Sequence, residues 1–329
     1  MLITAKDKKL LSELVFDAKQ SNRELSKKVG YAKETIGTKI REFEQNGIIK
    51  GFSLKVNYSL LGFQEYHIFV QFTTLKEQQT QAFLNFLIQH PHTTWIGKSF
   101  GTYDMKISLI VTSYSQIQDI FNQISKKFPA LLKKCDCVFV ADKYKAPTTV
   151  FLEHLFDEKI QSRLLKPRDS LTTVKLSSEE KSLLYTLGLN PKISFLELSK
   201  QFKKTPQAIA YTIKNLEKRN ILQGYGVVID GSKFNKQWCL VLLQVQYESL
   251  SLLKTYLQKQ SCASSYFEHS GIWNFSITLF AKNLVELHQA VNQLRTEFSS
   301  AIQNYELMMF FDFYKYPQVP ECILGPEVL

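Results

Sequence analysis

Long apolar runs are missing from this 329-residue chain, and none approaches the roughly 18 residues that a membrane-spanning helix needs. The residues from Met1 to Lys9 contain no apolar core of a secretion signal, so we expect a cytoplasmic protein. The five cysteines are scattered, and the one close pair, Cys135 and Cys137, has no second pair to complete a metal site. The sequence therefore predicts reduced thiols, no metal site and no interaction with a membrane.

Catalytic patterns are also missing. We find no phosphate-binding loop, no Ser/His/Asp arrangement and no paired carboxylates at a catalytic spacing. The six histidines form no close constellation along the sequence. The sequence therefore predicts no catalytic residue and no cofactor, which favours a binding protein over an enzyme.

Positive charge is in excess, with 41 Lys and Arg against 30 Asp and Glu, which gives a net charge of +11. Such a balance favours an anionic partner such as nucleic acid. The excess is uneven, because 3–50 and 176–223 each carry +4, whereas 51–150 carries +4 and 224–329 carries −2.

The chain repeats itself. Residues 3–72 align with 176–245 without a gap at an offset of 173, and 101–147 align with 271–317 at an offset of 170. The protein is therefore two copies of one unit. The predicted segments are helix-turn-helix modules at 1–56 and 174–230, rear modules at 62–147 and 236–317, a linker at 148–173 and a C-terminal tail at 318–329.

The front module of each copy is predicted to contain three helices. Ser21 and Ser194 each stand three residues before a glutamate, which is the capping-box pattern of a helix start. A third helix is predicted over 33–45 and over 206–218, because apolar side chains recur there on one face. Short helices joined by a tight turn are typical of proteins that insert a helix into the DNA major groove. A helical bundle with a merely solvated charged face is the alternative.

The outward side chains of these third helices are the predicted base readers, and neighbouring polar side chains are the predicted phosphate contacts. The candidate DNA-binding residues of the first copy are Arg23, Lys33, Glu34, Thr35, Thr38, Lys39 and Arg41. Those of the second copy are Thr205, Gln207, Tyr211 and Lys214.

The rear module of each copy has the order strand, helix, two strands, helix, strand, which predicts a ferredoxin-like βαββαβ sheet. In the first copy, a strand over 65–75 is followed by strands over 95–100 and 103–111 and by a last strand near 136–141. In the second copy, the two middle strands are predicted over 265–269 and 273–280. The fold class is therefore α+β, with a winged helix-turn-helix and a βαββαβ module in each copy.

Together these segments resemble the Lrp/AsnC family of transcription regulators, the leucine-responsive and asparagine-related "feast/famine" proteins. The resemblance rests on the residues at 7–11, 21–26 and 47–52, and on the later run Gly101-Thr102-Tyr103-Asp104. It covers about 1–147 and, more weakly, 176–317.

The resemblance implies double-stranded DNA as the partner and an amino acid or a similar small molecule as the effector. The implied effector-binding residues are Gly101, Thr102, Tyr103 and Asp104. The second copy has Gly271, Ile272, Trp273 and Asn274 at the matching positions, so it lacks the carboxylate. The family's arginine in the recognition helix corresponds to Lys39 and Thr212.

The family usually assembles as dimers or larger oligomers. Here two units are fused, so we expect the two rear modules to pair within one chain as a pseudo-dimer, which could also form homo-oligomers. Two recognition helices held in this way would address half-sites about one helical turn apart, near 10 base pairs.

A sensor or interaction partner that has stopped binding DNA is one alternative, and an enzyme built on the same fold is another. Sirohaem decarboxylases of the haem d1 and alternative haem pathways look like Lrp/AsnC proteins, and some are fused pairs of about this length. His269, beside the run at 271–274, would then be the residue to suspect. Both predicted recognition helices keep a basic outward side chain, which favours the DNA-binding regulator.

Overall fold

The computed structural model describes residues 3–73, 76–145, 173–234, 236–315 and 319–325. They form two compact units, and each unit draws on both copies of the repeat. One unit holds both helix-turn-helix modules and the C-terminal 3-10 turn, and the other holds both βαββαβ modules. Of the predicted linker at 148–173, all but Thr173 lies outside the described residues.

The described residues of the first copy form five α-helices and five strands. The front module consists of α1 (Ala5–Phe16), α2 (Asn22–Val29), α3 (Lys33–Gln45) and β1 (Ile49–Val56), followed by a 3-10 turn at Tyr58–Leu61. The rear module consists of β2 (Gln64–Phe72), α4 (Glu77–Gln89), β3 (Thr93–Gly101), β4 (Met105–Val111), α5 (Tyr114–Lys127) and β5 (Leu132–Lys145).

The second copy follows the same order. Its front module consists of α6 (Ser178–Leu189), α7 (Phe195–Gln201), α8 (Pro206–Lys218) and β6 (Leu222–Ile229), followed by a 3-10 turn at Gly231–Phe234. Its rear module consists of β7 (Gln237–Val245), α9 (Leu250–Gln258), β8 (Ala263–Ser270), β9 (Phe275–Ala281), α10 (Leu284–Glu297) and β10 (Ile302–Lys315). A last 3-10 turn spans Glu321–Leu324.

Side-chain caps fix where the helices of the front modules begin. Ser21 and Ser194 form the predicted capping boxes, in which the serine hydroxyl accepts a backbone N–H and the glutamate accepts the serine's own N–H. Thr205 caps α8 by accepting the N–H of Ala208 at 3.2 Å, whereas Ala32 leaves the start of α3 without a side-chain cap. Such a cap contributes about 1 kcal/mol, so α3 depends more on packing than α8 does.

The strands that follow the third helices pair with each other. β1 and β6 form a two-stranded antiparallel sheet, in which Phe52 lies opposite Val227 and Leu54 opposite Tyr225. Their side chains complete an apolar core with α6, α7 and α8. Strand pairing therefore makes one unit of two helix-turn-helix modules that are far apart in sequence.

The eight strands of the rear modules form a closed barrel in the order β10-β3-β4-β2-β5-β8-β9-β7. Two antiparallel ladders, β3 with β10 and β5 with β8, join the two modules. The helices of each module cover the outer face of its own sheet through separate apolar cores. The predicted pairing of the rear modules is therefore present within one chain, and it joins the strand edges of the two sheets.

Several strands differ from their predicted bounds, and three of these differences have a clear cause in the structure. β5 is longer than the predicted 136–141, because its first part pairs with β2 and its second part with β8. β4 and β9 begin two residues later than predicted. The residues before them, Tyr103 and Trp273, are β-forming aromatics, but they belong to a loop in which the Asp104 N–H bonds to the carbonyl of Val70.

We expect the two halves of the chain to depend on each other for folding. Expressed alone, 1–147 would leave the edges of β3 and β5 unpaired, so it should dimerise or aggregate and should bind 170–329 when the two are mixed. Light scattering after size-exclusion chromatography tests this. Two stable monomeric halves without mutual affinity would contradict it.

Candidate functional site

Helix α3 presents a polar face to solvent, and most of its candidate DNA-binding residues lie there. Lys33, Glu34, Thr38 and Arg41 are exposed, as is Arg23 on α2, while Thr35 is half-buried. Arg41 approaches the Thr38 hydroxyl at 3.4 Å, so its guanidinium is held along the exposed face. The charged surface of the first module is therefore centred on one turn of α3.

Lys39 differs from the other candidates because its ammonium is engaged within the module. It lies 2.9 Å from Glu42 and 3.8 Å from Asp7, whose side chain is almost fully buried. Asp7 also accepts hydrogen bonds from Thr4 and from the Tyr31 hydroxyl. The hydrogen bond to Glu42 raises the pKa of Lys39. Lys39 thus ties α3 to α1, which leaves it less able to contact a phosphate.

Helix α8 presents a different surface. Tyr211 is 74% exposed, although it is a large aromatic side chain, and Gln207 and Lys214 are also exposed. Thr205 serves as the helix cap, and the Thr212 hydroxyl donates to the carbonyl of Ala208. The two third helices therefore offer different chemistry, charged on α3 and mainly aromatic and amide on α8.

The candidate effector loop lies on the seam where β3 meets β10. Gly101 has φ +127°, and a Cβ there would come within 2.3 Å of the Leu307 carbonyl oxygen, so only glycine fits. The Thr102 hydroxyl donates to the carboxylate of Glu306. These two residues connect the rear modules to each other.

Tyr103 is fully buried and lies beside Trp273, which is its counterpart in the second copy. The Trp273 Nε1–H donates to the Tyr103 hydroxyl at 2.8 Å, and Lys134 donates to the same oxygen at 2.9 Å. The Tyr103 hydroxyl in turn donates to the carboxylate of Asp136. The pseudo-twofold axis of the barrel therefore passes close to a pair of unlike aromatic residues.

Asp104 holds the backbone of the adjacent strand. Its carboxylate accepts the N–H of Phe72 at 2.8 Å. Asn274, its counterpart, accepts the N–H of Val245 at 2.8 Å and donates to the Val245 carbonyl at 2.6 Å. The Asn274 side chain thus holds the backbone of its neighbouring strand, as the Asp104 carboxylate does in the first copy.

The barrel interior contains a histidine pair that the sequence does not reveal. His67 Nδ1 lies 3.2 Å from His269 Nε2, and the Nε2 atom of His67 lies 3.3 Å from a carboxylate oxygen of Glu65. The spacing of the histidines along the sequence gives no indication of this contact. The two histidines are 202 residues apart in the sequence. Their counterparts in the repeat are Leu240 and Ser99, so a comparison of the two copies does not reveal the pair.

Burial keeps both imidazoles neutral. The pKa of His67 is lowered to about 3, mainly by burial and also by the charge of Lys106, while Glu65 opposes the shift. Burial, His67 and Lys106 also lower the pKa of His269 well below its ordinary value. Within the described residues, no group of three or more His, Cys, Asp or Glu is placed to hold a metal ion.

We expect acid to destabilise the fold through these imidazoles. The unfolded chain binds their protons near pH 6.5 and the folded chain only near pH 3 for His67, so the stability present above pH 6.5 is lost as the pH falls between these values. The free energy of unfolding in urea, measured at pH 7 and 4.5, should show a smaller loss for His67→Leu, which introduces the residue found at 240. His288→Gln, which alters an exposed histidine, is the control and should keep the wild-type loss.

Comparison with known proteins agrees with this architecture. The family model "Winged helix-turn-helix DNA-binding" matches residues 3–50. An uncharacterised HTH-type transcriptional regulator of Pyrococcus furiosus is 29% identical over 116 residues, which are 35% of this chain and 74% of that protein. The HTH-type transcriptional regulator LrpC of Bacillus subtilis is 24% identical over 119 residues, which are 36% of this chain and 81% of that protein.

A solved structure is similar over nearly the whole length. The siroheme decarboxylase NirDL superposes with a TM-score of 0.62 over 96% of this chain and 94% of that one, at 15% identity, which shows a common fold. No helix among the described residues is both long and apolar enough to cross a membrane. The chain is related to the Lrp/AsnC transcription regulators, and it carries their helix-turn-helix and βαββαβ modules twice.

Proposed function

We propose that the chain is a sequence-specific DNA-binding transcription regulator that acts in the cytoplasm as its own pseudo-dimer. The observation that carries this proposal is the pair of third helices, α3 and α8, which lie in one unit and both expose polar side chains. Each helix would enter the major groove of one half-site, while cations next to the groove neutralise phosphates. Because the exposed side chains differ, the preferred site should be an imperfect palindrome.

The roles of the individual side chains follow from their exposure. Arg41 has the donors to read a guanine edge, and Lys33 and Arg23 would contact phosphates. On the second helix, Lys214 supplies a charge, Gln207 an amide that suits adenine, and Tyr211 an aromatic face for a thymine methyl group. Glu34, Thr35 and Thr38 would complete the first surface, while Thr205 and Lys39 would contribute chiefly by holding α8 and α3 in place.

An amino acid or a similar small molecule is the proposed effector, acting at the seam that contains Gly101, Thr102, Tyr103 and Asp104. An ammonium group would be attracted to the Asp104 carboxylate, which already accepts one backbone N–H. Binding there would compete with the contact between Thr102 and Glu306 and would thereby alter the β3–β10 seam. Further association of whole chains is compatible with this arrangement.

A second candidate function is a tetrapyrrole enzyme. The full-length similarity to the fold of a siroheme decarboxylase and the buried pair of His67 and His269 favour it. Against it, the barrel interior is filled by large side chains around Phe69, Tyr103 and Trp273. Absorbance in the haem region after incubation with sirohaem distinguishes the two functions, because the proposed regulator should give no specific spectral shift.

Salt dependence is the first test of DNA binding. If Arg23, Lys33, Arg41 and Lys214 neutralise about four phosphates, affinity for duplexes selected from genomic fragments should fall about 100-fold between 50 and 200 mM salt. Fluorescence anisotropy measures this. Binding that does not change with salt, or no binding at low salt, would contradict the proposal.

Charge removal should rank the cations by their exposure. We expect Arg41→Ala to weaken binding about tenfold or more, because an arginine that reads a base contributes about 1–3 kcal/mol. Lys214→Ala should cost less, and Lys39→Ala should mainly lower the melting temperature, because Lys39 is engaged with Glu42 and Asp7. Titrations and thermal unfolding of the same three variants check this order. Equal losses of affinity for all three would refute it.

A further inference from the structure

Two lysines cross between the helix-turn-helix modules at equivalent positions. Lys19 lies in the loop between α1 and α2, and Lys192 lies in the loop between α6 and α7. Each side chain leaves its own module and reaches the strand that follows the third helix of the other module. Both contacts lie within the single unit formed by the two modules.

The first contact joins Lys192 to the first module. Its ammonium lies 3.7 Å from the centre of the Phe52 ring on β1, which is a favourable cation–π distance. The same ammonium forms an ion pair with Glu44 on α3. We call Lys192, Phe52 and Glu44 the first lysine clamp.

The second contact repeats the cation–π interaction of the first. The Lys19 ammonium lies 3.7 Å from the centre of the Tyr225 ring on β6. Desolvation lowers the pKa of Lys19, while the charge of Glu217 on α8 opposes this shift. We call Lys19, Tyr225 and Glu217 the second lysine clamp.

The two clamps are related by the repeat. All three residues of the first clamp are separated from their counterparts by the same offset of 173, and the lysine and the glutamate are identical in both copies. The loops are also built alike, because the Asp17 side chain accepts the N–H of Lys19 at 2.9 Å and the Asn190 side chain accepts that of Lys192 at 3.2 Å. Equivalent contacts in both directions are typical of a twofold interface, which here forms within one chain.

We propose that the lysine clamps are positioning elements that set the distance and angle between the two recognition helices. This inference rests on the proposed function. Glu44 lies one helical turn beyond Arg41 on α3, and its ion pair with Lys192 holds that helix against the opposite module. Glu217 lies one turn beyond Lys214 on α8, and its charge attracts the Lys19 ammonium of the opposite module. The clamps thereby make the chain selective for one spacing of half-sites, and neither lysine is needed to touch DNA.

Charge-neutral variants test this without altering phosphate neutralisation. Phe52→Leu with Tyr225→Leu removes both rings, and Phe52→Tyr with Tyr225→Phe keeps them as the matched control. Duplexes selected by the wild-type chain from a random library are compared with the same duplexes lengthened by about half a helical turn, roughly 5 base pairs, between the half-sites. The wild-type chain and the control should prefer the original spacing at least about tenfold, and the leucine variant should lose most of that preference.

Glu44→Gln gives a second, opposed expectation. Removal of a negative charge near DNA should by itself strengthen binding to every duplex. If Glu44 also belongs to a clamp, the variant should in addition lose spacing preference, so that affinity rises more for the lengthened duplex than for the original one. A uniform gain with the preference intact would overturn the proposal, and so would a leucine variant that keeps the wild-type preference.

A measurement without DNA separates this proposal from the proposed function. Spin labels on Thr38→Cys and Tyr211→Cys report the distance between α3 and α8 in the full chain. Burial raises the pKa of Cys135 to about 12, of Cys137 to about 11 and of Cys239 to about 12, so the introduced exposed thiols should react first. The clamps predict one narrow distance distribution that broadens in the leucine variant. If the wild-type chain binds no duplex but the distribution broadens in the leucine variant, only the proposed function is refuted. A distribution that is unchanged in the leucine variant would refute the clamps.

Discussion

The edges of two small sheets are the constraint on which the rear unit depends. A βαββαβ module leaves a strand exposed on each side of its sheet, and an exposed strand edge recruits other strands. Here β3 pairs with β10 and β5 pairs with β8, so each edge is satisfied by the other copy. Closure requires Gly101 where β3 crosses the carbonyl of Leu307, and it places Tyr103 in the barrel interior. The duplication therefore does within one chain what a second subunit would otherwise do.

Fusion also removes the symmetry that a homodimer would impose. Residues that face each other across a true twofold axis are identical, whereas the two copies of a fused chain can change separately. Tyr103 faces Trp273, and the indole supplies a donor that a second tyrosine would have to provide differently. His67 and His269 also differ from their counterparts in the other copy, which are Leu240 and Ser99. The histidine pair thus lies on one side of the barrel, and Leu240 and Ser99 occupy the equivalent positions on the other.

How far the sequence predicts the structure varies with the range of the interaction. The bounds of α3 and α8 follow from local periodicity and caps, and both match the structure. The start of β4 does not, because the residues before it are β-forming but are held in a loop by bonds to Val70 and Phe72. The pairing of His67 with His269 depends on barrel closure, which no local pattern encodes. Lys19 and Lys192 did leave a trace in the repeat, since the lysine is kept at both equivalent positions.

The contacts of Lys19, Lys192 and Lys39 reduce the positive charge of the front modules that is available to DNA. Each module carries +4, and two such modules in one unit repel each other. Lys19 and Lys192 offset part of that repulsion, because the ammonium of each lies over an aromatic ring of the opposite module with an acidic residue nearby. Lys39 is likewise held within its own module. A count of lysines therefore overstates the charge available to DNA, and the cations left for an anionic partner are the exposed ones on and beside the third helices. Few exposed cations remain, and they are unevenly divided between α3 and α8. Discrimination between DNA sequences must therefore depend on the particular side chains of these helices more than on total charge.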